Sequence, residues 1–213
     1  MPDDAAGEQA ARIDRFEIVE VAILALVAIA TAWSGYQATQ WGGRQATLYG
    51  QASTTRFAAD ASSTRGGQIL VADASFFTAW LQARSTGDRD LEADLVRRFS
   101  PEYRAAFEEW LTTDPFHDPT APAGPGYMPG FSQPDMATAG QLNAQASGLF
   151  AEGTSARETA NKYVRDTVLF ASVLFLAGLG QRFKDRRVKV LALGVAGTLL
   201  VVTLVTVVTL PRA

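Results

Sequence analysis

The chain has 213 residues, with 19 Lys+Arg against 22 Asp+Glu, one His and no Cys. The missing cysteines exclude a disulfide framework, a thiolate metal site and a thiol nucleophile. A net charge of -3 with no basic face argues against nucleic-acid binding, which needs phosphate neutralisation. Charged residues make up only 19% and are unevenly placed, so the near-zero mean hydropathy averages membrane spans with a polar, Ala/Gly/Ser/Thr-rich remainder.

In chain order, residues 1–16 read as a cytoplasmic N-terminal segment and 17–36 as the first transmembrane helix. Glu17 and Glu20 lie at its acidic entry, and the run from Val21 to Tyr36 is free of charge. Ala30-Thr31-Ala32 resembles a signal-peptide cleavage site, but the preceding segment is net acidic where a signal peptide is basic. The second span is 163–183. Its apolar run from Thr167 to Gly180 is short, so it recruits flanking residues to reach about 20 positions, and Arg165 and Asp166 must snorkel or pair. The third span, 190–210, carries no charge at all. Between the last two lies a basic loop, 184–189, within a stretch from Gln181 to Lys189 that holds Arg182, Lys184, Arg186, Arg187 and Lys189 against Asp185 alone. The positive-inside rule makes this loop cytoplasmic, which places 37–162 and the final residues 211–213 outside.

No proline occurs from Asp3 to Ser100, so a helix leaving the first span is expected to continue to about Arg84. Trp41, Leu48, Thr55, Ser62, Ile69, Phe76 and Ala83 fall at sevens, with Ala52, Ala59, Gly66 and Trp80 four places on, a thin coiled-coil-like seam of small residues interrupted by Gln45 and Asp73. After the turn Ser85-Thr86-Gly87-Asp88, a helix is predicted from about Asp90 to Phe99. Ser100-Pro101 then starts another, with Tyr103, Phe107, Trp110 and Leu111 on a core face. Residues 113–134 are rich in Pro and Gly and form a cap that cannot be a long helix. Asp135 is the expected N-cap of the last external helix, where Ala146, Gly153 and Ala160 alternate with Leu142, Leu149, Ala156 and Tyr163. The proposed close-packing seam is therefore Ala52, Ala59, Gly66, Ala146, Gly153 and Ala160.

This layout resembles an uncharacterised family of bacterial three-span inner-membrane proteins with an Ala/Gln-rich helical extracytoplasmic region. The likeness rests on Trp33-Ser34-Gly35-Tyr36-Gln37-Ala38, Ala106-Phe107 with Trp110-Leu111, Thr113-Asp114-Pro115-Phe116, and Leu174-Phe175 with Gln181-Arg182-Phe183. It implies the topology and no activity.

Little in the sequence carries chemistry. His117, the single histidine, has Asp114 and Asp118 near it but no further donor at ligand spacing, and no P-loop, dinucleotide fingerprint or nucleophile elbow occurs. No catalytic residue, cofactor or metal is expected. Thr198, Thr203, Thr206 and Thr209 are candidates for lining a pore, although threonine hydroxyls also bond back to their own helix. The expectation is an all-α integral membrane protein with three transmembrane helices and an extracytoplasmic helical hairpin or bundle. Its expected role is non-enzymatic: an oligomeric structural or interaction module of the inner (plasma) membrane, in contact with the bilayer, with copies of itself and with an external protein partner at the Pro-rich cap. A helical receptor signalling through a separate partner, and then an oligomeric channel, are the alternatives. Glu20 and Arg182 are expected to pair where the first span enters and the second leaves the membrane.

Overall fold

The structure, a computed structural model, describes the backbone of residues 15–182 and 186–213. It is all-helical, with no strand among those residues. Helix α1 (Arg15–Thr86) runs without a proline and stops at Gly87, whose φ of +76° only glycine adopts without strain. There Asp88 N–H donates to the Ala83 carbonyl at 3.0 Å and Gly87 N–H to that of Arg84 at 3.2 Å, a Schellman closure that satisfies the last carbonyls. Helix α2 (Arg89–Val96) follows at once, with the Asp88 carboxylate accepting from Leu91 N–H. It ends three residues before the expected Phe99, where the backbone tightens into i→i+3 turns (Arg98 N–H to Leu95, Phe99 N–H to Val96), and the Arg104 guanidinium donates to the carbonyls of Val96 and Arg97 at 3.2 and 2.7 Å.

Helix α3 (Pro101–Thr112) has Ser100 as N-cap and Pro101 in its first turn, as the sequence predicts. Tyr103, Phe107 and Trp110 are buried, whereas Leu111 is 38% exposed, so the core face is narrower than the spacing implies. The Pro-rich segment holds a 3-10 turn (Pro125–Tyr127), and the Trp110 indole N–H donates to the Pro122 carbonyl at 2.7 Å, which ties the cap to α3. Helix α4 (Pro134–Arg182) departs from expectation at its start: Gln133, not Asp135, is the cap, its Oε1 accepting from Met136 N–H at 2.8 Å. The cause is Pro134, which occupies the first helical position, where a missing N–H is harmless, and so moves the cap one residue upstream. Asp135 falls instead in the first turn, favoured by the helix dipole, 3.6 Å from Arg65. Helix α5 (Arg186–Thr209) completes the chain.

The contacts divide the chain into two units. One comprises the described residues up to Leu48 together with those from Ala151 onward. Its core joins α1, α4 and α5 through Val27, Ala30, Tyr163, Phe170, Val173, Ala196, Leu200 and Val207. Val21, Ile29, Phe175, Leu191, Val201 and Val208 point outward, while Ser34, Gln37, Asp166 and Thr203 are buried. A bundle in water has the reverse arrangement, since exposing each such apolar side chain forfeits roughly 1.5–3 kcal/mol of transfer free energy. The three helices are also long and apolar enough to cross a bilayer. Together these features fit a multi-pass membrane protein. After α5 the chain is held by polar contacts: the Pro211 carbonyl accepts from Trp41 Nε1–H at 3.1 Å and from the Tyr163 hydroxyl at 3.2 Å, and Ala213 N–H donates to Gln37 Oε1 at 3.0 Å.

The second unit is Tyr49–Phe150. Its apolar volume is concentrated where the end of α1 meets α2, α3 and the cap, in a cluster of Trp80, Leu95, Phe99, Tyr103, Phe107, Trp110 and Met128. Edge-to-face ring pairs such as Trp80–Phe107, with centroids 4.8 Å apart, fix the mutual geometry of these side chains. Away from that cluster, α1 and α4 bury only small residues.

Candidate functional site

Helix α1 buries Ala52, Ala59, Gly66, Asp73 and Trp80, a strict spacing of seven. The row brings backbones close: a β-carbon on Gly66 would lie 2.7 Å from Gln133 Oε1 and 3.1 Å from Met136 N. Of the six seam positions, Ala52, Ala59, Gly66 and Ala146 are buried in the Tyr49–Phe150 unit, and Gly153 and Ala160 in the other. This burial takes place within one chain, so the seam offers no face to a neighbour.

The surface that remains open lies beside the seam. Tyr49 stacks on Phe150 with ring centroids 4.9 Å apart and planes 17° from parallel. Next to this stack, Ala52, Ser53 and Phe57 complete a groove of about 320 Å³. Phe57 is 71% exposed and Phe150 52% exposed, although both are large and apolar. Arg56 and Asp60, one helical turn apart, also line the groove, and among the described residues neither has an ion-pair partner. The groove thus sets an aromatic anchor between one cation and one anion. That is the composition of a contact surface, where aromatic side chains dominate affinity.

Sequence reasoning did not single out Arg56, Phe57 or Asp60. The one signal it held is that Phe57, in a run of small residues, falls midway between the two heptad rows and so outside the seam.

Within the apolar unit, of the two expectations for Arg165 and Asp166, snorkelling or pairing, the structure shows the pair. The Asp166 side chain is 0% exposed, with Oδ1 3.3 Å from Arg165 Nη2 and Oδ2 3.4 Å from the Thr206 hydroxyl. That hydroxyl sits 2.7 Å from the Thr203 carbonyl, its shorter contact. Asp166 therefore has α5 as a neighbour where the sequence alone offered only lipid or Arg165. The Ser34 hydroxyl, also fully buried, has no hydrogen-bond partner among the described residues. Thr198, Thr203, Thr206 and Thr209 all donate to carbonyls of their own helix, at 2.7–2.9 Å. Arg182 is exposed, while the Glu20 side chain lies outside the described residues, and with it the proposed pair.

In the cap, His117 Nδ1 is 2.8 Å from Asp114 Oδ1 with both side chains largely exposed. Asp118 accepts from the backbone and hydroxyl of Thr120, bonds that hold its carboxyl below the usual carboxylate range. Among the described residues no three His, Asp or Glu converge as a metal site would require. No family model, curated protein or solved structure matches the chain.

Proposed function

We propose that this chain is a non-enzymatic protein of the bacterial inner membrane that acts as an oligomeric structural or interaction module, associating with copies of itself through the Tyr49–Phe150 unit outside the cytoplasm. The observation that carries this reading is the groove built on the exposed Phe57 beside the Tyr49–Phe150 stack. A two-fold interface places the same patch on both subunits, so it must be complementary to itself. Arg56 and Asp60, adjacent and of opposite sign, meet that condition: across a two-fold axis each faces the other's partner, while Phe57 of one copy fills the groove of the next. The exposed Tyr127 at the cap, 76% accessible, supports a further contact there with a protein partner.

The chain lacks cysteine, so a single introduced thiol reports without background. In native membranes, Phe57→Cys treated with a short bismaleimide is expected to yield a species of twice 22.8 kDa. Gly140→Cys, on an exposed stretch of α4, should stay at the monomer mass. Equal cross-linking at both positions, or none at Phe57→Cys, would remove the basis for self-association through this face.

A further inference from the structure

A second concavity of the Tyr49–Phe150 unit lies against its aromatic cluster, sharing Trp80 and Phe107 with it. It is an open cleft of about 860 Å³ between the end of α1, α2 and α3, within the size range of small-molecule sites. Three arginines line it, Arg84, Arg89 and Arg97, against one carboxylate, Glu92. The lining thus carries an excess of two positive charges in a chain whose net charge is -3. A cleft with an excess of one sign beside apolar side chains concentrates counter-ions more strongly than the same charges on an open surface.

The three cations differ in how they are held. Arg84 lies 3.8 Å from Glu92, with its guanidinium over the Trp80 ring at 5.4 Å and over Phe116 at 4.3 Å. Arg97, the C-cap of α2, pairs with Asp94 in the last turn of that helix. Arg89 has no carboxylate within ion-pair distance among the described residues. It occupies the first position of α2, where the helix dipole disfavours positive charge, so a local structural role does not account for it. The remaining wall is apolar, formed by Trp80, Val96, Phe107 and the half-exposed Leu111.

We propose that this cleft binds a small organic anion, a carboxylate or phosphate attached to an aromatic or alkyl group. Arg89 takes the charge in a forked, charge-assisted contact, Arg84 and Arg97 reinforce it, and the apolar part lies along Leu111 and Trp80. The inference does not depend on self-association, because none of these residues lines the Phe57 groove.

The test is calorimetric titration of the full-length protein in lipid nanodiscs with phenyl phosphate and benzoate, with inorganic phosphate and phenol as the separated halves. Saturable binding of at least one aryl anion is expected, tighter than either half alone and weaker at high salt. Arg89→Gln should weaken it about tenfold or more, as loss of a charge-assisted bond does. Arg98→Gln, an exposed arginine outside the cleft, should leave it unchanged. Arg97→Gln provides a second reading should Arg89→Gln fail to accumulate. The proposal is overturned by heats no different from empty nanodiscs, by equal affinity in Arg89→Gln and the parent, or by inorganic phosphate binding as tightly as phenyl phosphate.

Discussion

Asp73 and Ser100 are joined twice. The Ser100 backbone N–H donates to Asp73 Oδ1 at 2.8 Å and its hydroxyl to Oδ2 at 2.6 Å, while the same hydroxyl accepts from Tyr103 N–H at 3.3 Å. A carboxylate 2% exposed on the seam of α1 thus fixes the start of α3, and the polar interruption of the heptad row becomes the point where two helices are locked. Charge-assisted bonds of this type contribute about 1.5–3 kcal/mol and an N-cap about 1 kcal/mol. Asp73→Ala should therefore lower the stability of the Tyr49–Phe150 unit by roughly 2–4 kcal/mol, and Ser100→Ala by less, in unfolding followed by tryptophan fluorescence. Because the two residues act on each other, the double variant should lose clearly less than the sum of the single losses. Additive losses would separate them.

Asp73 also acts on Tyr103. Burial and the nearby Asp73 carboxylate push the Tyr103 hydroxyl up to about 12 from its ordinary value of 10.0. Since the folded state holds this proton more tightly than the unfolded chain, the contribution is complete below pH 10 and is lost as pH rises toward 12. Tyr103→Phe removes the titration while keeping the ring, so it should melt close to the parent at pH 7 and fall less steeply between pH 10 and 12. Parallel melting curves against pH for parent and variant would show that Tyr103 does not titrate in this window.

Gly66 and its neighbour Gly67 separate close packing from helix propensity. Alanine is favoured over glycine inside a helix by about 1 kcal/mol. Nothing lies within 4 Å of a β-carbon on Gly67, so Gly67→Ala should stabilise by up to about that amount. At Gly66 the added carbon meets Gln133 Oε1 and the Met136 backbone, the groups that cap α4. Overpacking there costs about 1–3 kcal/mol, so Gly66→Ala should be neutral to destabilising despite the better propensity. A gain in melting temperature for both variants would mean that α1 and α4 do not approach closely at Gly66.

The basic residues at the end of α4 and the start of α5 give a prediction of topology. Reporter fusions after Arg186 should read cytoplasmic, and fusions after Gly130 or Ala213 external. A cytoplasmic reading at Gly130 would place the Phe57 groove on the opposite side of the membrane from the one proposed.

Much of the fold was legible because its punctuation is local. Gly87 ends α1, Ser100-Pro101 starts α3, the prolines of the cap forbid a long helix, and the sevens mark which side of α1 is covered. Legibility failed where an adjacent residue overrode a side-chain preference or a partner distant in sequence decided the outcome. Pro134 moved the α4 cap to Gln133, a choice that side-chain propensity at Asp135 could not reveal. Asp166 is enclosed because Thr206, forty residues on, lies against it. The groove around Phe57 was hidden for another reason: periodicity tells which residues a helix covers, not which of the others are brought together, and Phe150 meets Tyr49 only when α4 lies along α1 within that unit.

If this chain works as an assembly of copies, the mass of the intact particle, extracted with its surrounding lipid and measured by native mass spectrometry, shows it. We expect an integral multiple of 22.8 kDa, two or more chains, reduced by Phe57→Glu to a single chain that remains folded. A parent particle containing one chain across the concentrations found in the membrane would contradict it.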